Sequence, residues 1–318
     1  MIRGTIYQMD IPHREPMRIR GFEFGNERGE RSCAIIGSMR GNEVQQAFVC
    51  ANLISLMARI EQAGMIAKNK CILVIPCVNP LSMNVQQRFW PGDSADINRS
   101  FPGDAHGRST ERIAAAIMRV ARLFTYGMQL CSFNQPGDFL PHVRITDQGP
   151  ISAKSLELAA DFGFEFAMHR KPTPFDTTTL NYAWQESGTH AFSLYSSATD
   201  RIDTASAKAV TDAVLRFLAT RKVIELVGDM QVPAGHHSRI LQEAELVDVR
   251  TEQSSGFFVP AAHAGDRVRA GQRLGGVLDA MDSHLLESLT APVSGRVFFM
   301  RTDPLIQQHM VAFRIAPE

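Results

Sequence analysis

Asn79–Gly103 reads NPLSMNVQQRFWPGDSADINRSFPG. Pro80, Pro91-Gly92 and Pro102-Gly103 punctuate it, and such residues interrupt helix and strand because proline removes a donor and glycine opens turn conformations. Arg88, Asn98 and Arg99 stand between these breaks. A guanidinium forks onto both oxygens of a carboxylate, and a neighbouring amide adds a donor. The stretch therefore predicts a constrained loop presenting a planar-anion clamp. The plainer reading is that Arg99 pairs within the protein and only organises the loop.

Around this loop the chain alternates two periodicities. Ser32–Gly37 (SCAIIG), Lys70–Val78 (KCILVIPCV), Met128–Cys131 and Ala191–Tyr195 are short apolar runs of strand type. Residues 44–63 place Val44, Phe48, Ala51, Ile54 and Met57 at helical spacing, and residues 109–122, 155–162 and 205–218 also read as helices, the first with Ser109 or Thr110 as N-cap. Strands alternating with helices predict a mixed or mostly parallel sheet covered on both faces, with ligands bound in the loops at strand ends.

From Gly256 the pattern changes to GFFVPAAHAGDRVRAGQRLGGVLDAMDSHLLESLTAPVSGRVFFM. Short apolar runs separated by turn residues predict an all-β region. Gly271–Gly276 (GQRLGG) has no helix after it and reads as a turn. The expected organisation is an α/β domain over 1–222 and a β domain over 223–318.

The chain has 318 residues, enough for two domains, and its 33 basic and 33 acidic residues cancel. A balanced charge supplies no field for nucleic acid or an anionic membrane. No segment approaches the roughly 20 apolar residues that span a bilayer. MIRGTIYQMDIP contains no apolar run of signal-peptide length, so a cytoplasmic location is expected. The five cysteines, an odd number without CxxC spacing, read as small buried hydrophobes and not as a disulfide framework. No nucleophile elbow, phosphate loop or dinucleotide fingerprint occurs. His236-His237 adjoin the domain junction and read as surface residues, since adjacent side chains diverge in extended chain.

Asp96-Ile97-Asn98-Arg99 followed by Phe101-Pro102-Gly103 resembles the D-x-N-R-x-F-P-G signature of the succinylglutamate desuccinylase/aspartoacylase family. The resemblance implies a zinc-carboxypeptidase-like α/β fold with a mixed sheet flanked by helices, followed by a C-terminal all-β, barrel-sandwich-like domain. It implies hydrolysis of N-acyl amino acids, with Asn98 and Arg99 binding the substrate carboxylate and Arg88 polarising the scissile carbonyl. The β region resembles lipoyl/biotinyl carrier domains, but its expected hairpin tip, Asp279–Ser288, has no lysine to modify.

The family holds zinc through H-x-x-E and a later histidine. Here Gly37-Ser38-Met39-Arg40-Gly41-Asn42-Glu43 keeps the glycines and the glutamate, but Arg40 occupies the first histidine position. Gln129-Leu130-Cys131 is similar to the D-L-H segment, which puts Cys131 at the second histidine position. Glu43 and Cys131 remain as weak metal-ligand candidates, and zinc is expected to be absent or weakly held. The segment Ala191–Ser197 places Tyr195 where the family has its glutamate base; a phenol titrates near ~10 and suits hydrogen-bond donation. The resemblance sets Leu140-Pro141-His142-Val143-Arg144 on a loop facing the active site, so His142 and Arg144 are candidate substrate-binding residues. The expectation is a family member degenerate at its zinc site, retaining a cleft for a small carboxylate-bearing molecule. The alternatives are a deacylase with an altered metal site, or a cysteine-dependent amide hydrolase using Cys131 and His142. The oligomeric state is left open.

Overall fold

The computed structural model describes residues 1–133 and 135–318. They form two compact units: Met1–Ser132 with His142–Ile240, and Phe133–Pro141 with Leu241–Glu318. The sequence places a boundary after residue 222, whereas the first unit runs on to Ile240. Packing explains the difference. Val223 and Ile224 are buried in the first unit's core, Ile224 bridges Ile66, and Arg216 donates to the Pro233 carbonyl at 3.0 Å.

The first unit opens with an antiparallel hairpin of β1 (Ile2–Ile11) and β2 (Arg14–Gly25). Next come β3 (Glu30–Ile36), α1 (Val44–Gln62), β4 (Lys70–Ile75) and the short α2 (Pro80–Met83). After α3 (Ser109–Ala121) and β5 (Tyr126–Cys131), the chain leaves to place β6 (Gly137–Phe139) in the second unit. It returns for β7 (His142–Thr146), α4 (Pro150–Ala159), β8 (Phe166–Arg170), α5 (Leu180–Glu186), β9 (His190–Tyr195) and α6 (Thr204–Thr220), and crosses to the second unit within β10 (Arg239–Gln242).

The sheet order is β1-β2-β4-β3-β5-β9-β7-β8-β10. Neighbours β4, β3, β5 and β9 are parallel. Their continuous apolar runs fit strands buried on both faces. On one face α1, α4 and α6 bury Val49, Leu53, Met57, Leu158, Val214 and Phe217. On the other, α3, α5 and the 90–101 loop bury Trp90, Ile97, Ile113, Ile117 and Trp184. The parallel quartet thus runs out at one edge, and β7, antiparallel to β9, begins there, with His142 opposite Tyr195.

Helix α3 starts at Ser109, one residue past its N-cap position at Arg108. Ser109 and Thr110 do not cap it as the sequence suggests. Asp93 reaches in from the preceding loop and accepts from Thr110 N at 3.0 Å and from the Ser109 and Thr110 hydroxyls at 3.0 and 2.9 Å. Burial would raise the Asp93 carboxyl, but these hydrogen bonds hold it below its ordinary value.

The second unit is all β: β11 (Val247–Arg250), β12 (Gly256–Pro260), β13 (Arg267–Val268), β14 (Arg273–Leu278), β15 (Leu285–Thr290), β16 (Gly295–Arg301), β17 (Leu305–Ile306) and β18 (Val311–Pro317). One sheet runs β11-β18-β16-β13, with β6 also paired to β16, and the other β15-β14-β12-β17. Phe258, Leu274, Val297, Phe313 and Ile315 fill the space between them. The β14–β15 turn carries Met281, 94% exposed, where a carrier domain would present its lysine.

Candidate functional site

The loop after β3 makes one wall of the site. Gly37 and Gly41 leave no room for a side chain: a Cβ on Gly37 would lie 2.7 Å from Cys50 Sγ, and one on Gly41 would collide with the Ser82 backbone. Ser38 takes a left-handed φ of 32°, and its hydroxyl donates to the Glu43 carbonyl at 2.6 Å. The loop folds tightly enough to return Glu43, at the N-cap of α1, beside Arg40.

Arg40 sits at the centre. Its backbone N–H donates to Glu43 Oε2 at 3.0 Å and its Nη1 to Glu43 Oε1 at 3.1 Å. Its Nε donates to Asp96 Oδ2 at 2.9 Å, and Arg88 Nη2 reaches the same oxygen at 3.2 Å. Arg40, Glu43 and Asp96 are buried. Burial alone would lower the Arg40 guanidinium, but Glu43 and Asp96 outweigh it and hold the value above normal. Arg88 is held below its usual value, first by burial and then by Arg40, against the pull of Asp96. Ser132 completes the wall, its hydroxyl donating to Glu43 Oε1 at 2.5 Å.

The strand ends make the other wall. Cys131 on β5 pairs in register with Tyr195 on β9, which pairs with His142 on β7. The His142 and Tyr195 rings stack at 4.8 Å and 4°. The Arg144 guanidinium carbon lies 4.6 Å from the Tyr195 centroid. Burial pushes the Cys131 thiol up to about 11, against the lowering effect of Arg144. Burial likewise raises the Tyr195 phenol well above its usual value, with Arg144 again opposing. Both groups keep their protons at neutral pH. Behind them Asn181 Nδ2 donates to Gln129 Oε1 at 2.7 Å and to Ser193 Oγ at 2.9 Å.

Asn98 and Arg99 are anchored on the loop that carries them. Asn98 Oδ1 accepts from Leu180 N at 3.3 Å, and Arg99 Nη1 donates to the Phe175 carbonyl. Asn98 is buried and Arg99 half-buried.

Arg40, Arg88, Glu43, Cys131, Tyr195, His142 and Arg144 thus come to one edge of the sheet. Asp96 has a larger part than the sequence suggests: it stands in the signature, but its pairing with Arg40 crosses 56 positions and no spacing announces it. Ser132 and Asn181 carry no sequence signal either. Among the described residues, the group of His, Cys, Asp and Glu whose ligand atoms converge is Asp279, Asp282 and His284, on the β14–β15 turn and not at this edge.

Known proteins share this arrangement of elements. The model for the succinylglutamate desuccinylase/aspartoacylase catalytic domain matches residues 30–221. An N-alpha-acetyl-L-2,4-diaminobutyric acid deacetylase of Halomonas elongata is 27% identical over 146 residues, 45% of this chain and 41% of that protein, so the match spans less than half of the relative. The succinylglutamate desuccinylase/aspartoacylase of Rhodobacter sphaeroides superposes with a TM-score of 0.76 at 18% identity, covering 98% of this chain and 95% of that one. The product-bound ectoine utilization protein EutE (DoeB) of Ruegeria pomeroyi gives 0.77 at 18% identity, covering 100% and 95%. Such identities establish likeness of fold, and the domain match establishes kinship: the chain belongs to the succinylglutamate desuccinylase/aspartoacylase family of deacylase-like hydrolases.

Proposed function

We propose that this chain binds a small carboxylate-bearing molecule of the N-acyl amino acid type at the strand-end edge, without holding zinc there. The family, and the acetyl amino acid deacetylase from Halomonas elongata within the listing of its relatives by sequence, support the class of ligand.

The observation that carries the zinc-free reading is the double ion pair of Arg40 with Glu43 and Asp96. A catalytic zinc needs about three lone-pair donors and an open position. Glu43 commits its oxygens to Arg40 and Ser132. Cys131 stays protonated, with its thiol up at about 11. A guanidinium has no lone pair to give, and its charge opposes a divalent cation. This donor set does not fit zinc.

Loss of metal-activated water would remove the family's hydrolytic step, and the base position offers nothing in its place. Tyr195, with its phenol raised by burial, is a proton donor to a bound acceptor. The clamp remains chemically sound: Arg99 spends one N–H on the Phe175 carbonyl and keeps others for a carboxylate. The Cys131–His142 alternative requires a thiolate, which burial disfavours.

The test combines elemental analysis of purified protein with calorimetry and hydrolysis assays on N-acyl amino acids. Substoichiometric zinc, measurable binding and no turnover are expected. Stoichiometric zinc with metal-dependent turnover would overturn the reading.

A further inference from the structure

We propose that Arg144 is a specificity-determining residue of this cleft, and that the ligand it selects carries an acidic side group in addition to the carboxylate held at Asn98 and Arg99. The proposal rests on the ligand reading above and names which N-acyl amino acids the edge prefers.

Each cation of the first wall has a partner. Arg40 has Glu43 and Asp96, and Arg88 has Asp96. Those two cations and two carboxylates cancel. Arg144 is left over: its Nε is wholly buried and makes no hydrogen bond, and among the described residues no carboxylate forms an ion pair with it. Its neighbours cannot supply the charge. It acts electrostatically on both Cys131 and Tyr195, and both remain neutral, so neither balances it. The Tyr195 ring, 4.6 Å from the guanidinium carbon, attracts the cation through its face. Hydrogen bonding by a guanidinium runs in its plane, at the edge. Stacking on Tyr195 therefore orients Arg144 without satisfying its N–H groups.

A buried donor without an acceptor is an expensive arrangement in a folded protein. A carboxylate on the ligand would satisfy it, forking onto the guanidinium edge while the face stays on Tyr195. A cationic group at the same place would meet an uncompensated guanidinium and be rejected. The edge should thus rank N-acyl amino acids by side-chain charge: acidic first, neutral next, basic last. Register fixes the location, because β7 runs antiparallel to β9 and brings Arg144 opposite Ser193, two residues before Tyr195.

The experiment is calorimetric titration of the full chain with N-acetyl-L-glutamate, N-acetyl-L-alanine and N-acetyl-L-lysine. The glutamate derivative is expected to bind about tenfold tighter than the alanine derivative, the gain of one charge-assisted fork, and the lysine derivative weaker than both. Arg144→Gln should erase this ranking while leaving the alanine derivative's affinity within about twofold. Arg144→Lys, which keeps the charge but not the fork, should retain part of the ranking and serves if the glutamine variant misfolds. Equal affinities in the wild type, or a ranking that survives in Arg144→Gln, would overturn the proposal. Retained binding without ranking would sink only the role of Arg144. Failure of all three ligands to bind would sink the cleft reading together with it.

Discussion

Arg40 Nε lies 2.9 Å from Asp96 Oδ2, and this contact fastens the loop after β3 to the loop carrying Asn98 and Arg99. One guanidinium thereby occupies the space between two buried carboxylates. It neutralises them as a bound cation would, but it is covalently part of the chain and offers no open position to water.

Metal content follows from that replacement. Purified protein should carry well below one zinc per chain by plasma mass spectrometry. Exchanging Arg40→His and Cys131→His should raise zinc uptake, because two imidazoles would then join Glu43 in a donor set of the usual kind. A wild-type chain with full zinc occupancy would contradict the assignment of Arg40.

Removing Arg40 should also damage the fold. Arg40→Met strands Glu43 and Asp96, buried and without their cation, and breaking a buried pair from one side costs about 3–5 kcal/mol. The double variant Arg40→Met with Glu43→Gln should be less destabilised than the sum of its parts. Urea unfolding of the four proteins measures this coupling, and strict additivity would show the pair to be energetically idle.

Catalysis separates an active enzyme from a binding protein. The wild type should not detectably hydrolyse N-acetyl or N-succinyl amino acids, since a general base contributes about 10²–10⁴-fold and metal activation adds more. In a chain carrying Arg40→His, Cys131→His and Tyr195→Glu, metal binding should return before turnover. Turnover that resists chelation and vanishes in Cys131→Ser would instead establish cysteine chemistry.

Alkaline pH should weaken the protein through its thiols. Burial holds Cys131 up at about 11 and Cys77 at about 12, against an ordinary 9.0, and raises Cys33 and Cys50 further. These groups ionise in the unfolded chain before they do so in the fold, so the unfolded state binds fewer protons. Their contribution is intact below pH 9 and falls as pH rises from 9 towards 11, by up to about 1.4 kcal/mol per unit for each thiol. Denaturation midpoints at pH 8 and pH 10 check the sign. Native Cys131 should resist aromatic disulfide reagents at pH 8, and rapid labelling would show it to be accessible.

Arg99 divides between anchoring and binding. Arg99→Ala should abolish carboxylate binding through loss of the fork, and should also loosen the loop, because the Phe175 carbonyl loses its donor. Unchanged ligand affinity in the variant would make Arg99 an anchor alone.

Much of this architecture could be read from the chain. The apolar runs at Ser32, Lys70, Met128 and Ala191 became β3, β4, β5 and β9, because parallel strands buried on both faces leave an unbroken apolar record. The family signature and the exchanged residue at Arg40 were equally plain. The β1–β2 hairpin escaped, since its half-exposed strands mix polar and apolar residues without a continuous run. Asp96 as the partner of Arg40, Asp93 as the cap of α3 and the missing partner of Arg144 were illegible for one reason. Each is a relation between residues far apart in sequence, fixed only when the loops fold onto the sheet.

Strand β6 bears on how such a molecule can be cut or inherited. The second unit is built from two separate stretches, with Phe139, Asp138 and Gly137 paired to Phe299, Met300 and Arg301. No single scission releases it whole. A chain stopped at Ile240 would keep β6 with its hydrogen-bonding edge bare and with Phe139 deprived of the Phe299 ring 4.6 Å away. A fragment begun at Leu241 would expose the matching edge of β16, a template for self-association. Truncation from either side should therefore yield insoluble material, and gain or loss of the second unit in a lineage demands two coordinated changes, one inside the chain and one at its far end.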